Sequence, residues 1–436
     1  MVSRCYSLFL NLLSPTISTY MSDDKRPSTD PYKGVRDFYP EDMAIQRYIF
    51  DTWAKAAESF GFERYDASIL EPSELYRAKA AENEEIVNEQ TYTFVDKGDR
   101  EVTLRPEMTP TVARMVAGRR RELSLPVRWY SIPNLFRYER AQRGRLREHW
   151  QLNCDIFGTH SVQADVEIIA LAASIFKVFG AKDSDFEIRI NNRAALTREI
   201  ESKLRPGARI NDALKLLDTK PKIDAAVYAE EEAKLLTSPI TTEGDGGPEI
   251  TEVIEALRAR GVTNAFYGPT IVRGFNYYTG TIFEIFDTNP DNRRSLLGGG
   301  RYDNLTALFG GDPIPAVGFG FGDVTMRDFL ETHDLLSKMP AVYKSAPTVL
   351  LATADAGLIA HASLCASVLR DAGIRTAVNL SDKSIGEQRK KAAEAGVRFA
   401  INIESKDATE YTMRDLASGE ETTGTIAALA EKITQR

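Results

Sequence analysis

The run from Leu135 to Asp155 leaves little choice of local structure, because it reads as two strands joined by an arginine-rich loop. On the incoming side Arg137 and Glu139 share one face while Phe136 and Tyr138 share the other. On the outgoing side Gln151, Asn153 and Asp155 point one way, and Leu152, Cys154 and Ile156 the other. This is the two-residue period of a β-strand, not the 3.6-residue period of a helix. Paired as a hairpin, the strands would turn two polar faces toward one cavity. The same alternation also describes a half-buried hairpin with its polar face in water. Arginine content tips the balance: from Arg114 to Arg147 there are ten Arg, two Glu and no Lys. A solvated surface mixes Lys with Arg, whereas bidentate phosphate recognition favours the planar guanidinium fork. Phosphate is the expected partner, beside a small polar substrate.

The chain's 436 residues, 43% hydrophobic and 27% charged, suit a globular protein of two or three domains. A formal net charge of −8 argues against a generally basic nucleic-acid coat, so any RNA contact must come from local patches. Cys5, Cys154 and Cys365 show no Cys-x-x-Cys spacing, which supports neither a disulfide framework nor a zinc site and fits a cytoplasmic setting. The four histidines are scattered; His149, in the hairpin, reads as a strand residue facing the loop. Leu8, Phe9, Leu10, Leu12 and Leu13 behind Arg4 give residues 1–20 a faint targeting character, but the run is too short to span a bilayer. A polar leader beginning at Met21 reads equally well as the true start, and no membrane association is expected.

After a leader over residues 1–30, expected to be disordered, a catalytic domain is expected over 31–333. Its first helix opens at Pro40-Glu41-Asp42, carries Ile45, Ile49, Trp53, Ala56 and Ala57 on one stripe, and closes at Gly61. Thr109 and Pro110 read as the N-cap and first residue of a later helix, with Glu107 just before it. A charged, helical insertion is expected over about 181–266, a linker over 334–347, and a last domain over 348–436 with a βαβαβ pattern. That pattern lacks Gly-x-Gly-x-x-Gly, which disfavours a dinucleotide site.

Phe136-Arg137-Tyr138-Glu139-Arg140 and the loop after it resemble motif 2 of the class II aminoacyl-tRNA synthetases. The run onward through Gln151 and Asp155 is similar to the histidyl-tRNA synthetase family in particular. Leu104 to Thr109 resembles that family's Arg-Pro-Glu-x-Thr element, Val272 to Gly280 its first histidine-specific motif, and Gly298 to Asp303 its second. The resemblance implies an α+β catalytic domain built on an antiparallel sheet, class II synthetase-like, with a C-terminal α/β domain that binds the anticodon. It implies ATP as a substrate with Mg2+ carried on its phosphates, histidine and tRNA(His) as partners, and a homodimer. By the same resemblance Arg137 and Arg273 are catalytic, and Arg137, Glu139 and Arg145 hold ATP. Glu107, Thr109, Gln151, Asp155, Arg273, Tyr278 and Tyr302 hold histidine, with Tyr302 closing the pocket, and Arg140 and Gln142 meet the acceptor end of the tRNA. A rival reading is the synthetase-like regulatory subunit of ATP phosphoribosyltransferase, which binds histidine without aminoacylation and generally lacks the C-terminal domain.

The chain departs from the family in three places, of which the first is Asp155, where a Glu is frequent and the shorter acid keeps the charge. Asn276 stands where an Asp is usual. Motif 3 ends in Glu-Arg at a helix start, but here Val324 and Thr325 occupy those places in the run from Gly318 to Asp328. Arg327 is two positions further on, about 200° around the helix, so ATP binding is expected to rest on Arg137 and Arg145, with Arg327 structural.

Overall fold

The computed structural model describes residues 27–77, 90–220, 223–241, 244–273, 277–292 and 294–435. The greasy N-terminal run and Asn276 lie outside the described residues. The chain divides into two compact units, Met1–Asp37 with Ile49–Leu335, and Phe38–Tyr48 with Leu336–Arg436. Phe38–Tyr48, placed in the catalytic domain by the sequence reading, thus groups with the second unit. Among the described residues no helix is long and apolar enough to cross a membrane.

The first unit is built on β1 (Glu63–Arg64), β5 (Val127–Ser131), β6 (Asn134–Phe136), β7 (Glu148–Phe157), β8 (Phe186–Asn192), β9 (Ala265–Tyr267), β10 (Thr281–Asp287), β11 (Ser295–Arg301) and β12 (Ala316–Gly322). The order is β1-β5-β7-β12-β11-β10-β8-β9, with β6 alongside β7. The sheet is antiparallel except at its margins, where β1 pairs with β5 and β8 with β9 in parallel. A smaller antiparallel sheet joins β2 (Leu70–Pro72), β3 (Tyr92–Val95) and β4 (Glu101–Leu104).

The alternation in β7 sets the layers. Leu152, Cys154 and Ile156 face an apolar core and are at most 1% exposed. On neighbouring β12 the sequence Gly-Phe-Gly-Phe-Gly sends Phe319 and Phe321 to that same side. The Phe321 ring lies 5.3 Å from both Trp53, on the Pro40–Ser59 helix, and Phe176, on the nearly all-apolar Val162–Val178 helix. The first helix buries Ile49, Trp53, Ala56 and Ala57 of its stripe and leaves Ile45 half-buried, and Gly61, at φ 76°, follows it.

The helical insertion is narrower than the sequence suggested. β8 and β9 both belong to the main sheet, so the helices between them span Arg193 to Ala259 rather than about 181–266. Their own core gathers Ile200, Leu214, Leu217 and Tyr228.

In the second unit β13 (Val349–Thr353), β14 (Thr376–Val378) and β15 (Phe399–Ile403) are parallel, in the order β14-β13-β15, with helices Ile359–Asp371 and Ile385–Glu394 as crossovers. β16 (Tyr411–Asp415) and β17 (Glu421–Gly424) then extend the sheet antiparallel, a hairpin the βαβαβ pattern did not include.

Trp53 is fully buried and anchors the first helix beneath β12. Trp53→Ala is expected to destabilise the protein by about 3–5 kcal/mol, read as a lower urea midpoint with an unchanged slope; a loss under about 1 kcal/mol would show that this contact does not anchor the layer.

Candidate active site

Opposite the aromatic core, the polar residues of β7 run in the order His149, Gln151, Asn153, Asp155, spaced about 6.6 Å apart by the rise of a strand. Asn153 and Asp155 are sealed from bulk water at 4% exposure each, while His149 and Gln151 are partly exposed. The neighbouring strands give them room. Gly318 pairs across from Asp155 and from Gly300, and Gly320 from Asn153 and from Gly298. A Cβ on Gly318 would overlap the Asp155 carboxylate and stand 2.7 Å from the Cys154 carbonyl oxygen. One on Gly320 would run into the Gln151 amide, one on Gly298 into the Arg273 guanidinium, and one on Gly300 would come within 2.9 Å of the Tyr278 ring. These four glycines form a floor across which the longer side chains lie flat.

At one end of the floor sits a buried acid. Tyr302, itself 2% exposed, donates its hydroxyl to Asp155 Oδ1 at 2.5 Å. Burial pushes the Asp155 carboxyl up to about 7, with the Tyr302 hydrogen bond pulling the other way. Tyr302 is therefore a partner of Asp155 rather than a lid. Its ring meets Tyr277 edge-on at 5.6 Å, and Tyr277 lies 4.7 Å from Tyr278. Arg273 reaches over Gly298 to donate from Nη1 to Glu284 Oε1 at 2.6 Å, and its guanidinium carbon is 6.0 Å from the Tyr278 ring. Burial opposes the Arg273 charge, yet Tyr278 and Glu284 hold its pKa above the ordinary arginine value. Its Nε is buried with no hydrogen-bond partner among the described residues. Its backbone is left-handed, φ 61°, a conformation costly for a side chain of this size.

At the other end a cavity of about 160 Å³ is walled by Arg137, Glu139, Arg145, His149, Gln151 and Thr325. Arg137 donates from Nε to the Pro106 carbonyl at 2.9 Å. Burial holds its pKa below the ordinary value, while the Glu107 and Glu139 carboxylates work against that shift. Arg145 pairs with Glu139 at 3.5 Å. His149 is held down to about 3, by burial first and then by the charges of Arg137 and Arg36, so it is neutral at physiological pH. It lines the cavity instead of merely facing the loop.

The hairpin itself is present, with β6 and β7 paired from Asn134↔Trp150 to Phe136↔Glu148. Its incoming strand is shorter than the alternation suggested: it ends at Phe136, with one further backbone bond from Arg137 N to Arg147 O. Arg140 and Gln142 are exposed on the loop, whose tip closes where Gln142 and Arg145 bond each other's backbones around Gly144. The expected capping role of Thr109 does not hold. The helix runs Thr109–Gly118, Met108 occupies the cap without a side-chain bond, and the Thr109 hydroxyl bonds Tyr277 instead. Of the ten arginines, Arg137 and Arg145 line the cavity. Arg114 pairs with Glu71, Arg119 with Glu122 and Arg128 with Glu167, and Arg147 stacks 4.2 Å over Tyr138. Arg327 pairs with Glu331 one turn along its own helix at 2.8 Å.

Sequence reasoning passed over Tyr277, the Thr109 partner that joins Tyr278 to Tyr302. It also passed over Asp323, which accepts from Arg36 at 2.7 Å and from the Trp150 backbone N–H at 2.9 Å and so ties the Asp323–Thr332 helix to β7. The signal for Asp323 was present: an acid in the first turn of a helix is favoured there.

Comparison with known proteins gives consistent matches. A family model described as histidyl-tRNA synthetase matches residues 34–236 and 191–323, and one described as an anticodon binding domain matches residues 348–436. The chain is 40% identical to a histidine–tRNA ligase of Leptospira biflexa, covering 94% of this chain and 98% of that protein. It is 37% identical to a histidine–tRNA ligase of Thermoplasma volcanium, covering 92% and 98%. Among solved structures, histidyl-tRNA synthetase from Nostoc sp. PCC 7120 superposes with a TM-score of 0.79 at 25% identity, over 94% of this chain and all of that one.

The raised pKa of Asp155 has a testable sign. Its carboxyl titrates near 4 in an unfolded chain and at about 7 when folded, so folding takes up a proton between those values. The stability contributed at this site falls as the pH rises through that window. Asp155→Asn removes the titration. The variant's melting temperature, relative to wild type, is expected to climb from pH 4 to 7 and level off above it; a difference that stays flat with pH would show that the folded carboxyl titrates normally.

Proposed function

This chain belongs to the histidyl-tRNA synthetase family, and from that premise we infer how its site carries out histidine–tRNA ligation. Histidine is joined to AMP from ATP with release of pyrophosphate, and the histidyl group then passes to the terminal ribose of tRNA(His). The observation that carries this reading is the order along β7: a cationic cavity at His149 and Gln151, a bare glycine floor at Asn153, and a buried acid at Asp155. An amino acid laid on that floor would offer its carboxylate to the cationic end and its side chain to the acid.

Adenylation is an in-line attack by the histidine carboxylate on the α-phosphorus, and it needs placement and cations more than covalent help. Arg137 is proposed to hold the α-phosphate and the attacking carboxylate, its buried charge being only partly answered by Glu107 and Glu139. Arg273 would clamp the other side, already fixed by Glu284. Arg145 would hold the outer phosphates, with Glu139 beside it in the ATP site. Mg2+ would ride on the phosphate oxygens, because Glu139 is the one carboxylate lining the cavity and hard oxygen donors are what that ion takes. Glu107, Thr109 and Gln151 would receive the α-ammonium.

The imidazole requires an acceptor and a donor, since an unpaired buried polar group is what rejects a wrong side chain. Asp155, fixed by Tyr302, is the proposed acceptor and Tyr278 the second partner. Arg140 and Gln142, exposed on the loop, would read the tRNA acceptor end. We infer a homodimer working in the cytoplasm. The regulatory-subunit alternative is the weaker reading, because residues 348–436 match an anticodon-binding domain that such subunits generally lack.

ATP–pyrophosphate exchange measured with each amino acid in turn should show turnover with histidine; exchange with none would favour the regulatory subunit, and exchange with another amino acid would overturn the specificity. Arg273→Ala is expected to lower kcat at least ~10²-fold, as losing one oxyanion donor does, with the fold retained by circular dichroism. Asp155→Asn should raise the KM for histidine while leaving that for ATP in place, and an equal loss of both would make Asp155 a scaffold residue.

A further inference from the structure

We propose that Arg294, in the turn between β10 and β11, binds the outer phosphates of ATP and supplies the positive charge that the start of the Asp323–Thr332 helix lacks. This rests on the reading of the cavity as an ATP site.

Three observations place it there. First, the helix presents Gly322, Val324 and Thr325 to the cavity, none of them charged. Arg327, the first cation along that helix, is turned to Glu331. Secondly, the Arg294 side chain lies against the cavity rim. Its Cδ is 3.4 Å from the point where a Cβ on Gly144 would stand, and the Thr325 methyl is 3.7 Å from that same point. Gly144 and Thr325 both line the cavity. The left-handed backbone of Gly144, φ 74°, accounts for the glycine, and the Arg294 stem lies at van der Waals range of it.

Thirdly, Asn292 and Ser295, described residues near Arg294, are held by hydrogen bonds. Asn292, 8% exposed, accepts from Arg143 Nη2 at 3.0 Å and donates to Asp287 Oδ2 at 2.7 Å and to Thr332 Oγ1 at 3.0 Å. On the other side Ser295 donates to the Leu297 carbonyl at 2.8 Å. Arg143 belongs to the same loop as Arg145, so one clasp ties that loop to the turn bearing Arg294.

The electrostatics agree with an anion between them. Burial first, and then the charge of Arg145, hold the Arg294 guanidinium below its ordinary pKa, and Glu139 is the one acid that offsets this. Glu139 is already paired with Arg145. Asp328 Oδ2 also lies 4.0 Å from the Gly144 point, but the cations that act on it are Arg143, Arg327 and Arg36, so Arg145 and Arg294 face Glu139 with one more positive charge than negative. The buried Arg137 lies deeper, where the α-phosphate would sit, so the tail beyond it meets Arg145 and Arg294.

The test is calorimetric binding of ATP and of AMP to the full-length protein, without histidine, for wild type and Arg294→Ala. A charge-assisted hydrogen bond is worth about 1.5–3 kcal/mol, so the Kd for ATP should rise roughly 10- to 100-fold while that for AMP stays within about twofold. Arg294→Lys should recover part of the loss, since a point charge retains the attraction without the fork. Arg327→Ala serves as the control and should leave ATP affinity within about threefold. An unchanged ATP affinity in Arg294→Ala overturns the proposal. So does equal weakening of ATP and AMP, which would mean that Arg294 only shapes the loop. Because these are binding measurements, they stand apart from the amino-acid exchange assay that tests the function itself.

Discussion

The steric emptiness of four backbone positions governs the site. Gly298 and Gly300 on β11, and Gly318 and Gly320 on β12, face one another in two cross-strand pairs. Asp155, Gln151 and Arg273 occupy the volume that their side chains would fill. Each glycine in a strand costs about 0.5–1 kcal/mol of backbone entropy relative to alanine. The opposite face offsets this. The residues alternating with the β12 glycines are Phe319 and Phe321, and Phe321 is enclosed by Trp53 and Phe176. One strand therefore gives its odd face to packing and its even face to chemistry, and neither works without the other: the core keeps the floor flat, and the floor lets polar side chains lie within a buried layer.

Burying those polar groups creates charges that the protein alone only partly satisfies. Asp155 has Tyr302, Arg137 has the Pro106 carbonyl, and Arg273 has Glu284. An isolated buried charge costs several kcal/mol, and pairing recovers this only when every donor and acceptor is met. The raised Asp155 pKa, the lowered Arg137 pKa and the orphaned Arg273 Nε all show sites where that matching is incomplete. A ligand bearing a carboxylate, a triphosphate and a ring N–H would complete it. Dipoles and charges fixed before the ligand arrives need no reorganisation when charge develops in the transition state.

The hairpin and its two faces were legible in the sequence because strand alternation is local and its period cannot be mistaken for a helix. So was the common face of Gln151 and Asp155 on β7, whereas Arg137 and Arg145 lie beyond the paired strand that ends at Phe136 and were marked by arginine content and by the resemblance. What resisted reading was set by distant partners. Glu71 lies 43 residues from Arg114, and Asp323 lies 287 from Arg36, so nothing local marked either arginine as structural, and the first-turn position of Asp323 did not name its partner. Thr109 shows a local rule overridden: its sequence context suits an N-cap, but Tyr277 captures the hydroxyl. The β16–β17 hairpin was missed because the strands before it fit a parallel pattern that gives no sign of where it stops.

The two ends of the site differ in a way that suits their tasks. Asp155, Tyr302, Tyr277 and Tyr278 are all at most 7% exposed and packed ring against ring. Such enclosed packing makes an unpaired donor or acceptor expensive, and under the proposed function it would separate imidazole from side chains of similar size. The phosphate end is carried by a loop and a turn, and the Arg145 side chain is 55% exposed. Solvent screens such charges, so each contact there is weaker than its buried counterpart. Under the proposed function that weakness would let pyrophosphate leave and a tRNA end enter past the same loop, since a fully desolvated grip on the product would slow its release. On that proposal, discrimination would fall to the enclosed acid end and turnover to the open cationic one, with the bare floor of glycine between them.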